Sequence, residues 1–187
     1  MDTWNAQLVE QIDWHWTKQL RPRLEGLTDE EYLWEPVASW SIRPRGDSSA
    51  PVQGGSGAYV VEFAFPEPEP PAFTTIAWRI SHVVVGVLAM RNASHFGGPP
   101  ADYFTWEYAG TADAALDQLD RELDTWLSGV RDLGEEGLSR PCGPAEGPFA
   151  DSPMSTLVLH INRELIHHGA EISLLRDLYR DSHGRTM

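Results

Sequence analysis

The sequence predicts an all-α fold, a four-helix bundle, and three observations carry that expectation. Four stretches of about twenty residues or more place apolar side chains at helical spacing. One of them is apolar on nearly every side, as a central helix is. Between the first two lies a long insertion rich in Pro, Gly and Ser, of the kind bundles accept as a crossover. With 187 residues, 41% hydrophobic content and eight Trp, residues 1–187 suit a single domain with a sizeable core.

Helix one is expected from Trp4 to Leu24, with Leu8, Ile12, His15 and Gln19 on one face and Gly26 as its stop. The insertion then runs from Pro36 to Pro71. Within it, Ala58 to Phe65 reads as one short extended segment, apolar and β-rich. So long a loop is either a lid over one end of the bundle or a surface excursion. Helix two covers Phe73 to His95 and ends at Gly97-Gly-Pro-Pro100. Helix three covers Thr111 to Leu133, with Leu116, Leu119, Leu123, Trp126, Leu127 and Val130 as its apolar row. Helix four has Ser152 as N-cap and Pro153 at its first position, and runs to Arg180.

Helix four carries the chemistry. Its apolar stripe is Met154, Leu157, Val158, Ile161, Leu165, Ile172 and Leu175. His168 falls near the centre of that stripe and Glu164 to one side, whereas His160 and His167 fall well away from it. Glu164 and His168 are spaced i, i+4, so they project from one face a turn apart. A carboxylate facing a core is costly unless it is paired or ligates a metal. Glu164 is therefore either a metal ligand or the partner of a cation such as Arg163, and His168 either a ligand or a hydrogen-bonded core histidine. His82, in the apolar run Ala77 to Met90, is a core residue when read alone and supplies a third donor when read beside the other two. Two imidazoles and a carboxylate without thiolate suit Zn, Ni or Fe(II), and three protein ligands leave positions open.

Three more residues bear on this set. His15 is a fourth ligand, a proton shuttle or a core histidine. His160, i−4 from Glu164, either orients that carboxylate from behind the metal ligands or faces solvent. Glu171, at the stripe's margin, serves a supporting or a surface role. Cys142, in a Pro- and Gly-rich loop, is either a nucleophile or an incidental thiol, and no adjacent base is visible to activate it.

His82 followed by Glu164-x-x-x-His168 on a late helix ending His-His-Gly-Ala-Glu-Ile resembles the DinB-like superfamily of metal-binding four-helix bundles. The stretches Gln11 to Trp16, Leu27 to Pro36 and Trp78 to His82 extend the resemblance over most of the chain. With Glu164 in the middle ligand position, the pattern is similar to the branch containing mycothiol-dependent maleylpyruvate isomerase. The resemblance implies His82, Glu164 and His168 as ligands, a low-molecular-weight thiol as cosubstrate and a homodimer.

The formal charge of −14 disfavours nucleic acid, which needs clustered Lys and Arg. No run approaches the roughly 18 apolar residues of a membrane span, and no secretory leader is legible. A single cysteine agrees with a reducing compartment, so a cytoplasmic protein is expected. The leading expectation is a divalent-metal-dependent enzyme acting on a small molecule, an S-transferase or isomerase using a thiolate or water activated by the metal, with Zn ahead of Ni or Fe. A non-catalytic metal-containing protein that binds or senses a small ligand needs the same three residues, and a metal-free bundle with a buried His-Glu network is the third reading.

Overall fold

Threonine side chains cap the first three long helices. A computed structural model describes residues 3–184. Helix α1 spans 4–23: it begins as Trp4–His15 with Thr3 accepting from the Ala6 N–H, widens into π geometry over Trp16–Leu20, and closes as Arg21–Arg23. Its buried row is Leu8, Ile12, Trp16 and Leu20, spaced by four. In a regular α-helix such a row drifts by about 40° per step, since each residue turns about 100°. The wider π turn, with its i→i+5 bonds, offsets the drift. Trp16 and Leu20 thus take the inward face, leaving His15 half-buried at its edge and Gln19 exposed. This corrects the expectation that His15 and Gln19 share that face.

A short helix α2, Asp29–Tyr32, is capped by Thr28, which accepts from the Glu31 N–H. It buries Tyr32 completely, with the hydroxyl donating to the Ala109 carbonyl at 3.0 Å.

The insertion is more ordered than an all-α reading allows, and that reading is corrected: the protein is mostly helical with small sheets. Strands β2 (Ile42–Pro44), β3 (Val52–Gly54) and β4 (Tyr59–Phe63) form an antiparallel sheet in the order β2-β4-β3, pairing Ile42 with Val61 and Gly54 with Val61. Strands β1 (Ser39–Trp40) and β5 (Phe73–Thr74) pair in parallel beside it. Only the segment holding β4 showed in the pattern. Strands of two or three residues flanked by Pro and Gly are too short to display alternation, and pairing with β4 makes them strands. Glu62 organises this unit from a buried position: it accepts from the Ser41 N–H at 3.0 Å and the Ser48 hydroxyl at 2.6 Å, and pairs with Arg43 Nε at 2.8 Å.

Helix α3 spans 76–95, as Ile76–His82 capped by Thr75, π geometry over Val83–Ala89, and Met90–His95. All seven residues of the π segment are buried. Helix α4 is Ala112–Ser139, capped by Thr111 and interrupted at Gly134, whose φ of 56° is left-handed and breaks the helix where the apolar row ends. Every member of that row from Leu116 to Val130 is buried. Helix α5 is Met154–Gly184.

Helices α1 and α3 each pack against both α4 and α5. The core between them holds Ile80, Leu88, Leu123, Trp126, Ile161 and Ile172, all at most 1% exposed. Each such side chain contributes about 1.5–3 kcal/mol relative to leaving it in water. Gly169 sets the α1–α5 approach: a Cβ there would lie 2.4 Å from Leu20 Cδ2. Among the described residues no helix is long and apolar enough to cross a membrane.

Candidate metal centre

The α3–α5 contact brings His82 and His168 together. Their rings meet edge to face with centroids 4.8 Å apart and planes at 81°. Glu164, one turn before His168, places Oε2 3.5 Å from His168 Nε2. Its other oxygen accepts from Arg163 Nη2 at 3.3 Å and lies 3.4 Å from His160 Nδ1. All three expected donors therefore occupy one region, half-buried.

The two imidazoles are held in the same manner. His82 Nδ1 lies 2.7 Å from the Tyr103 hydroxyl, and His168 Nδ1 lies 2.8 Å from Glu171 Oε2. In the Nδ1–H tautomer each ring donates to its oxygen partner and turns a free Nε2 lone pair the other way. Burial, then the nearby charge of His168, pushes the His82 pKa down to about 4, with Arg91 and Arg79 adding to the shift and Glu164 opposing it. At neutral pH His82 is uncharged and keeps its lone pair. Burial pushes the Tyr103 hydroxyl up to about 12, so it stays a neutral partner. Burial would also raise the Glu171 carboxyl, but the His168 hydrogen bond and the charge of Arg79 outweigh it and hold the group below its ordinary value. Arg79 and Glu171 form an ion pair.

The surroundings of His82 come from three parts of the chain. Trp78, one turn earlier on α3, stacks on the ring at 5.4 Å and 14°, while its Nε1 donates to the Glu62 carbonyl of β4. Tyr103 reaches the ring because Gly86 has no side chain: a Cβ there would lie 1.9 Å from the Tyr103 hydroxyl oxygen. The sheet braces the loop that carries Tyr103. Gly54 lies so close to the Tyr103 carbonyl that a Cβ would meet its oxygen at 2.3 Å, and the Ser56 hydroxyl donates to the Thr105 carbonyl. The insertion is thus a packed support for this loop.

Among the described residues, the three donors that come within 4.8 Å of one another are His167, His168 and Glu171. His82 and Glu164 stand outside that closest trio. In it, however, His167 is 62% exposed and Glu171 is engaged by Arg79. His160, at the solvent-facing side with 39% of its side chain exposed, touches Glu164 and also Arg163. His15 is elsewhere: its Nδ1 bonds Gln19 at 2.9 Å, its Nε2 is buried without a partner, and it lines a groove with Lys18, Gly169 and Ser173. Cys142 is buried, and burial together with Glu146 raises its pKa, which disfavours a nucleophilic thiolate.

Sequence reasoning missed Tyr103, Arg79 and Arg91 as neighbours of the site. The one local signal was Gly86, an isolated glycine inside a helical pattern, which usually has a packing reason.

A cavity of about 790 Å³ has Arg91, Cys142, Glu146, Leu157, His160 and Arg163 in its wall, the last two of which contact Glu164. A helical core that brings one imidazole from α3 to an imidazole and two carboxylates of α5 defines a helical protein with a candidate metal centre. The chain belongs to the DinB superfamily, whose family model matches residues 11–172. Comparison with curated proteins and with solved structures returns no match.

Proposed function

We propose that the chain is a divalent-metal-dependent enzyme acting on a small molecule, with His82, Glu164 and His168 holding the ion, and that its reaction is an S-transfer or isomerisation using a low-molecular-weight thiol. The observation that carries this reading is the shared tethering of the imidazoles. Tyr103 and Glu171 take the two Nδ1 atoms and leave both Nε2 atoms for a common ligand, as metal-binding histidines require. The donor set, two imidazoles and one carboxylate, suits Zn first and Ni or Fe next. When bound, the ion supplies a Lewis acid that lowers the pKa of a coordinated thiol or water. The chain's residues do the rest. His82 stays neutral, Glu164 offsets positive charge, the Arg79–Glu171 pair fixes His168, and Trp78 covers one face of His82.

Superfamily membership supports the finer architectural reading as well: one domain in which the four long helices make a four-helix bundle with the 37–71 segment inserted between the first two. The charge of −14 supports small-molecule rather than nucleic-acid partners. A cytoplasmic homodimer completes the proposal.

The closest donor trio favours a second reading, a cation held by His167, His168 and Glu171. Titration of Zn and Ni into the His82→Ala, Glu164→Gln, His168→Ala and His167→Ala variants separates the two. Loss of uptake in the first three with retention in His167→Ala is expected. Retention in His82→Ala with loss in His167→Ala would move the site to the outer trio.

A further inference from the structure

Helix α5 carries its candidate ligand spacing twice. Glu164 and His168 are an i, i+4 pair whose Oε2 and Nε2 lie 3.5 Å apart. His167 and Glu171, each three residues further on, are a second such pair, with Nε2 and Oε1 also 3.5 Å apart. Two donors on one tetrahedral zinc ion at about 2.0–2.2 Å stand about 3.4 Å from each other, so both pairs sit at ligand spacing. The helix supplies that spacing without rearrangement, because residues four apart are neighbours on its surface.

The outer pair is reachable from solvent, since His167 is exposed and Glu171 half-buried. The two oxygens of Glu171 have different tasks. Oε2 lies 2.8 Å from His168 Nδ1 and pairs with Arg79, whereas Oε1 is the oxygen turned to His167. An ion on Oε1 therefore leaves the His168 tether and the Arg79 pair in place. It does draw negative charge away from Oε2, and a weaker acceptor behind His168 makes that imidazole a poorer donor to an ion on its Nε2. The His167 and His168 rings meet with centroids only 4.9 Å apart, so two cations held by the two pairs also repel each other. Both effects have the same sign.

We propose that His167 Nε2 and Glu171 Oε1 form a second, weaker zinc site completed by water, and that zinc bound there loosens the ion of the His82–Glu164–His168 centre. Both ions are bound at once, with His168 serving the inner one. The outer site is the weaker because it has two protein ligands against three and the charge of Arg79 beside it. As zinc rises, the outer site fills and the inner ion exchanges more readily, so the chain registers the level of the metal it uses. This goes beyond the metal-enzyme reading and rests on it for the inner ion, while the outer pair is a property of His167 and Glu171 alone.

The test is calorimetric titration of zinc into the metal-free full chain, with a competing chelator to resolve the tight ion. Uptake at one equivalent reports the inner ion, and the outer ion is read in excess zinc. Wild type is expected to bind a tight ion and a weaker one. His167→Ala, a change at an exposed side chain, is expected to keep the tight ion at unchanged affinity and lose the weaker one. His82→Ala is expected to lose the tight ion and to bind the weaker one at least about fivefold more tightly than wild type does, because coupling is reciprocal and typically spans about 5–150-fold. A weaker ion that survives His167→Ala, or that binds no more tightly in His82→Ala than in wild type, overturns the proposal and leaves the inner centre standing. So does a single tight ion in wild type that His82→Ala removes and His167→Ala retains. A tight ion lost in His167→Ala and kept in His82→Ala, or no zinc uptake at all, overturns the inner centre and the two-site proposal together.

Discussion

Two polar clusters that α5 shares with other elements, one buried and one half-buried, differ in how fully their hydrogen-bonding groups are used. Toward the end of the helix, Arg176 donates from Nε and Nη2 to both oxygens of Glu31, at 2.6 and 2.9 Å, and from Nη1 to the Arg23 and Glu25 carbonyls. The carboxylate and the guanidinium are saturated by the protein, and both residues are under 9% exposed. Two turns earlier, His168 meets His82 of α3; each has its Nδ1 tethered, the His168 Nε2 has only Glu164 Oε2 at 3.5 Å, and the guanidiniums acting on His82, Arg79 and Arg91, each leave a buried Nε without a partner. A saturated pair joins α5 to α2 and to the turn after α1, which is an architectural task. An unsaturated one leaves donors and acceptors open, which is what the proposed metal reading requires. Incomplete satisfaction of buried groups separates the candidate site from the Arg176–Glu31 cluster.

Breaking the saturated cluster has the largest expected effect. Arg176→Met strands the buried Glu31 carboxylate and is expected to cost about 3–5 kcal/mol, read from urea denaturation at neutral pH. Metal uptake by the folded fraction should be unchanged, and parallel loss of uptake would show that the two clusters are not independent.

Gly86→Ala comes next. Its Cβ would collide with the Tyr103 hydroxyl, and overpacking of this kind costs about 1–3 kcal/mol. Tyr103→Phe removes the same hydrogen bond without the clash. It is expected to lower zinc affinity about 10–100-fold with little change in melting temperature, since partners behind a ligand carry that much. Unchanged zinc affinity in Tyr103→Phe would reduce Tyr103 to a packing residue.

His168→Ala sharpens the contrast with Arg176→Met. It is expected to abolish zinc and nickel uptake yet cost less than about 1 kcal/mol in metal-free protein, because Glu164 keeps Arg163 and His160 as neighbours. A loss as large as that of Arg176→Met would make this cluster architectural too.

The smallest effect is at Cys142. Burial, then Glu146, raises its pKa, so the thiolate forms at higher pH than in an exposed cysteine. Native protein at pH 8 should react with iodoacetamide at least about tenfold more slowly than urea-unfolded chain, the difference narrowing as pH rises. Cys142→Ser should leave metal uptake and any thiol transfer nearly intact.

The amino-acid order alone determined the four long helices and the inward side of α5. Their apolar residues recur at helical spacing over more than twenty positions, and a signal that long survives any tertiary context. The same periodicity gave the whole buried row of α4, and it put His168 near the centre of the α5 stripe and Glu164 to one side, where the structure leaves both half-buried. Tertiary structure decided what periodicity cannot carry. The π stretches turned Trp16 and Leu20, not His15 and Gln19, toward the core. Pairing with β4 made strands of segments too short to have a pattern. Tyr103 came to His82 across 21 residues of chain, and Arg79 to Glu171 across 92, through contacts that depend on the shape of a glycine gap and on where two helices cross. Local spacing encodes which face of a helix is buried; which side chain from another element meets that face is encoded only in the packing of the whole.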